Sequence, residues 1–174
     1  MSEDPFSTKQ RQAIDEMAKT LGYISTHWAA IESFIENFFA YAVSPNYPFV
    51  AITAFQGIVA FQGRLNVADR AIKASLIPMN AYQGNKELRD EWVRLHRRCK
   101  SHASKRNLLA HGEIRVMMLP DEYPPEVEFE CGVEDPEEFM SRKMLSQADI
   151  ERMLVDIDRL RVDLRPSIMP SSTR

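Results

Sequence analysis

Residues 14–42 read IDEMAKTLGYISTHWAAIESFIENFFAYA. Their apolar members Ile14, Met17, Leu21, Ile24, Trp28, Ile31, Ile35, Phe38 and Ala42 recur at alternating steps of three and four. That spacing places them on one stripe of a helix and predicts a long first helix from about Ser7. Gly22 lowers helix propensity without breaking the phase, so a local bend at most is expected in an element roughly 50 Å long. Pro45 and Pro48, in the segment Ser44-Pro45-Asn46-Tyr47-Pro48, end it, because neither can sit in a helix interior.

Outward from this stretch the same period recurs. Phe49 to Leu76 carries Ile52, Phe55, Ile58, Phe61, Leu65, Ala68 and Ile72 roughly in phase, with Gly57 and Gly63 as expected bend points. After a loop from Ile77, a third helix is expected near Asn85, whose side chain can cap its first turn. Its inner stripe is Leu88, Trp92, Leu95, Cys99 and His102. Gly112 is its expected stop, as a residue free to adopt the left-handed conformation. The runs Glu113–Leu119 and Glu126–Cys131, separated by Pro120 to Pro125, predict a β-hairpin. Ser146 with Asp149 three residues later is a capping-box variant, and Ile150, Met153, Leu154, Ile157, Leu160 and Leu164 form the stripe of a last helix ended at Arg165-Pro166.

Stripes of this kind can be hidden only against one another. The expected fold is therefore all-α: an up-and-down bundle of four main helices with a small β-hairpin excursion before the last. One domain is expected over 1–174, with the bundle at about 7–164, the hairpin at about 113–132 and a tail at 167–174. An apolar content of 44% and a charged content of 27% suit one globular domain with its own core. The apolar runs are too short to span a bilayer, and Met1-Ser2-Glu3-Asp4 does not open a signal peptide, so no membrane association and a cytoplasmic location are expected. Cys99 and Cys131 stand apart, which argues against a disulfide framework or a four-thiolate zinc site.

The net charge of −3 is not that of a typical nucleic-acid binder, but its distribution is uneven. Lys86 to Arg106 is locally basic, whereas every charged residue from Asp121 to Phe139 is acidic. The basic stretch runs into Lys105-Arg106-Asn107-Leu108-Leu109-Ala110-His111-Gly112. Cleaving RNA without a metal requires a base for the 2′-hydroxyl, an acid for the departing 5′-oxygen and fixed positive charge beside the phosphate. Imidazole suits the proton tasks and guanidinium the third. His111 and Arg106 supply one of each, and Asn107, one turn before His111, can orient either partner. On an ideal helix Arg106 and His111 diverge by roughly 140°, so two copies paired across a two-fold axis would present them better than one. His96 and His102 lack the accompanying carboxylates of a bundle metal site. His111-Gly112-Glu113 lacks the paired cysteines of a zinc deaminase.

The pattern Arg106-Asn107-x-x-x-His111 at the end of a bundle helix, followed by Gly112, resembles the signature of the HEPN superfamily. The long first helix with Trp28-Ala29-Ala30-Ile31-Glu32 and the capped last helix extend the resemblance over about Ser7 to Leu164. It implies a homodimeric, metal-independent endoribonuclease of the kind found in toxin–antitoxin and defence systems, with RNA as partner, an antitoxin protein as a further partner, and no cofactor. The implied catalytic residues are Arg106, His111 and Asn107. Beside them the bases Lys105, Arg98 and Arg115 and the imidazole of His102 are the expected RNA contacts. The alternative is a non-catalytic helical module that binds a protein or a nucleotide, which the acidic balance favours.

Overall fold

The computed structural model describes residues 6–76, 83–117, 126–130 and 144–164. It contains five helices, α1 Thr8–Val43, α2 Pro48–Gln56, α3 Phe61–Leu76, α4 Gln83–Ala110 and α5 Gln147–Leu164, with strands β1 Glu113–Met117, β2 Glu126–Glu130 and β3 Met144–Ser146. None of these helices is long and apolar enough to cross a membrane. The chain separates into two compact units, one from 1–26 and 104–157, the other from 27–103 and 158–174. The turn at 120–125, the acidic residues 131–139, Cys131 and the tail at 167–174 lie outside the described residues.

The mainly helical fold with a small hairpin is as the periodicity indicates, and the first helix runs unbroken through Gly22. Met17, Ile24, Trp28, Ile31, Ile35 and Phe38 are buried along its stripe. The expected second helix is instead two, α2 and α3, separated at Gly57–Ala60. Gly57 and Ile58 close α2 with a bond from the Ile58 amide to the Phe55 carbonyl at 3.0 Å, and the chain restarts at Phe61. Gly63 is no bend point. It lies inside α3, where an added Cβ would meet Ile58 Cγ2 at 3.1 Å, so its smallness serves close packing of the preceding loop. Asn85 falls inside the first turn of α4 rather than at its cap.

In the second unit all five helices contribute to one core. Trp28 packs on Phe61 with ring centroids 4.8 Å apart, Phe39 stacks on Phe55 at 4.6 Å, and Phe38 meets Trp92 edge-on at 6.3 Å. Burying an indole strands its N–H unless an acceptor follows it inside. Both tryptophans have one, each a carboxylate held by a base. Trp28 Nε1 donates to Glu32 at 2.7 Å, and Glu32 pairs with Arg64 at 3.1 Å. Trp92 Nε1 donates to Asp69 at 3.0 Å, and Asp69 pairs with Lys73 at 2.8 Å. Glu32 is thus a partner of the core.

Asp69 gives this arrangement a pH signature. Burial pushes its carboxyl up, but the hydrogen bonds from Lys73 and Trp92 prevail and hold it below the usual carboxylate value. A carboxylate depressed in the fold stabilises above its unfolded pKa, about 3.9, and the contribution fades as pH falls through the folded value. Asp69 is only 17% exposed, so Asp69→Asn is expected to lower stability at neutral pH by about 1–2 kcal/mol. Urea unfolding of both proteins should show that gap shrinking below about pH 4. A gap independent of pH would contradict the assignment.

Cys99 lies in the same unit. Burial pushes its thiol up to about 12, which keeps it protonated and unreactive.

In the first unit β1, β2 and β3 form one antiparallel sheet in that order. The register sets Ile114 opposite Phe129 and Phe129 opposite Leu145. Phe129 and Leu145 are buried with Met17, Ile24, Ile150 and Ile157. The hairpin is where the alternation of Glu126 to Cys131 predicts it, while β3 is additional. Its last residue, Ser146, caps α5: the Ser146 hydroxyl donates to Asp149 at 2.7 Å, and the Asp149 amide returns a bond at 3.3 Å.

Candidate functional site

The residues singled out by chemistry occupy the last turn and a half of α4 and the corner after it. Ala110 is the final helical residue, His111 lies in the turn, and Glu113 already begins β1. Gly112 makes that corner possible, though not by adopting the left-handed conformation expected of it: among the described residues no glycine has positive φ. The reason is contact. A Cβ at Gly112 would overlap the Phe129 ring and come to 2.5 Å from the Glu130 carbonyl oxygen. The end of α4 therefore lies directly on β2, which fixes where His111 leaves the helix.

Arg106 is half-buried, and Asn107 and His111 are exposed. The Arg106 guanidinium donates from Nη1 to Asn107 Oδ1 at 3.4 Å. Asn107 and His111 are four residues apart and so share one side of the helix end. Arg106 is reached through its bond to Asn107 rather than through direct register with the imidazole. What this arrangement offers chemically is an accessible ring, an accessible amide and a guanidinium leaning toward that amide, at a helix C-terminus where positive charge is favourable.

The four expected RNA contacts divide. Lys105 is exposed and lies on the same turn as Arg106. Arg115 has a structural role: β1–β2 register places Glu113 directly opposite Glu130, and like charges so placed repel. The Arg115 guanidinium lies between them, 2.8–3.0 Å from Glu113 and in contact with the largely buried Glu130. Arg98 and the half-buried His102 belong to the second unit. Arg98 pairs there with Asp163.

Beside Lys105 is a shallow cavity of about 290 Å3 lined by Leu108, Leu145, Asp149, Arg152 and Asp156 among others. Arg106, Asn107 and His111 do not line it. Helical periodicity gave no sign of it, because its lining comes from α4 on one side and from the contiguous β3 and α5, much later in the chain, on the other. Its acids and bases partly neutralise one another: Arg152 is 2.5 Å from Asp149, which also serves the Ser146 cap. Among the described residues no three His, Cys, Asp or Glu side chains converge as a metal site would need.

No family model, curated protein or solved structure matches the chain.

Proposed function

We propose that the chain is a metal-independent endoribonuclease of HEPN type, acting as a homodimer with a composite site. The observation that carries the reading is the exposed His111, held immediately after α4 with exposed Asn107 one turn before it and the Arg106 guanidinium leaning onto Asn107. An imidazole takes the proton of the RNA 2′-hydroxyl as the 2′-oxygen attacks phosphorus. The bond from phosphorus to the 5′-oxygen then breaks, and a second imidazole, from the other copy, returns a proton to that oxygen. Arg106 stabilises the crowded dianionic phosphate between these events, and Asn107 positions it. Lys105 supplies charge for the flanking phosphates.

The test is a labelled single-stranded RNA incubated with the purified chain and excess chelator, beside a DNA strand of the same sequence. Cutting of the RNA alone is the expected result. A requirement for added metal, or equal cutting of DNA, would contradict it.

A second reading, a non-catalytic module that binds a protein or nucleotide, is favoured by the pairing of Arg98 and Arg115 with acids, which removes two cations from the basic side. RNA left intact but retained with a steep salt dependence would support it.

A further inference from the structure

The cavity beside Lys105 has no part in the proton transfers assigned to His111, yet its lining is chemically specific. One wall is the end of α4, through Lys105 and Leu108. The other is one face of α5, where Asp149, Met153 and Asp156 recur at helical spacing with Arg152 beside them. Leu145 of β3 is buried, Met153 is half-buried and Leu108 is 39% exposed, and these three make part of the lining apolar. At about 290 Å3 the cavity is at the small end for ligand sites. It admits a group the size of one nucleotide and not a segment of another protein.

Its four charged residues divide into a pair and two others. The Arg152 guanidinium donates to Asp149 at 2.5 Å and to the Ala148 carbonyl at 3.3 Å. Held at two points, its plane is fixed at the edge of the cavity, and a planar guanidinium stacks on a flat ring. Asp149 also accepts from the Ser146 hydroxyl and amide, so its oxygens are engaged. Asp156 and Lys105 have no hydrogen-bond or ion-pair partner among the described residues. Asp156 is half-buried, and a carboxylate withdrawn from water without a donor carries a cost that the N–H groups of a ligand would remove.

We infer that this cavity is a pocket for guanine, in the nucleotide next to the one that is cut. The inference rests on the endoribonuclease reading and adds the base that its site selects. Single-stranded RNA is read through unstacked bases laid on flat side chains and bonded along their Watson–Crick edges. A carboxylate only accepts, so Asp156 requires a base edge made of donors. Guanine has two side by side, N1–H and the exocyclic N2–H2, which the two oxygens of one carboxylate accept together. Adenine and cytosine set one amino group beside an acceptor nitrogen, and uracil sets N3–H between two carbonyls. In each of these a carboxylate oxygen would face a lone pair. Lys105 is placed for the phosphate of the same nucleotide. Position ties the pocket to the cut, because Leu108 comes one turn before His111.

Calorimetric titration of the full chain with 5′-GMP, AMP, CMP and UMP tests the pocket without any cleavage. GMP is expected to bind about 10- to 100-fold more tightly than the other three, the range for a bidentate base contact. Asp156→Asn keeps the shape of the side chain but turns one acceptor into a donor, and should lose that preference. Lys105→Ala should weaken all four alike, since a phosphate contact carries no base information. Sequencing of the ends cut from a random RNA pool should then find guanine at one fixed position beside the scissile phosphate, an enrichment that Asp156→Asn removes. Equal binding of the four nucleotides, binding of none, or an unchanged preference in Asp156→Asn overturns the inference. RNA cut without guanine beside the cut also overturns it, and leaves the endoribonuclease reading in place. Selection of GMP through Asp156 with all RNA left intact keeps the guanine pocket and overturns the cleavage reading on which its place beside a cut depends.

Discussion

His111→Ala is expected to slow RNA cleavage by about 100- to 10,000-fold, the usual cost of removing a general acid–base group. Arg106→Ala should cost about 100- to 1,000-fold, the range for deleting a preorganised electrostatic partner of the transition state. Stability should change little, since the His111 side chain is exposed and that of Arg106 bonds among described residues only to its neighbour Asn107, and surface substitutions of this kind commonly stay within about 0.5 kcal/mol. Matching melting curves would assign the loss to chemistry. Arg106→Lys discriminates further: it keeps the charge but not the planar fork, so a large loss there would point to bidentate phosphate contact. Either alanine variant cutting at the wild-type rate would remove that residue from the mechanism.

The second large effect is on the fold. Gly112→Ala is expected to destabilise by about 3 kcal/mol, the upper part of the overpacking range, because the new methyl has both an aromatic ring and a backbone carbonyl in its way. For a chain of this size each kcal/mol lowers the melting temperature by roughly 2–4 °C. Gly22→Ala provides the opposite case. It sits mid-helix with nothing within 4 Å of its added Cβ, so it should raise stability by about 0.5–1 kcal/mol. Thermal melts of the two variants should therefore move in opposite directions. A Gly112→Ala protein as stable as the wild type would mean that the α4–β2 contact is not tight.

These two residues also show how far sequence reaches. The unbroken α1, the hairpin and the Ser146–Asp149 cap follow from spacing and local chemistry, and each is where periodicity puts it. Gly112 was legible as the end of a helix but not for its reason, since the demand for glycine comes from Phe129 and Glu130 across the sheet. Strand β3 is too short for alternation to register, and it forms because β2 offers it an edge. The division of Phe49–Leu76 at Gly57–Ala60 is likewise tertiary. Apolar phase continues across it, while the backbone does not.

For the candidate site, residue identity was legible and partnership was not. The Arg106, Asn107 and His111 pattern sets the chemistry that is possible. That Asn107 receives the Arg106 guanidinium, or that Arg115 is occupied by two glutamates, depends on rotamers and strand register that no spacing rule contains. Glu32 and Asp69 make the same point within the core: each reads as an ordinary surface acid until the buried indole it serves is seen.

The most direct measurement is the chemistry of the cut ends. Mass spectrometry of RNA fragments made by the chelator-treated chain should find a 2′,3′-cyclic phosphate on one side and a 5′-hydroxyl on the other, with cleavage abolished where a single 2′-deoxy nucleotide precedes the scissile phosphate. Fragments bearing a 5′-phosphate and a 3′-hydroxyl, or cutting that persists at the deoxy position, would contradict attack by the 2′-oxygen and with it the roles given to His111 and Arg106.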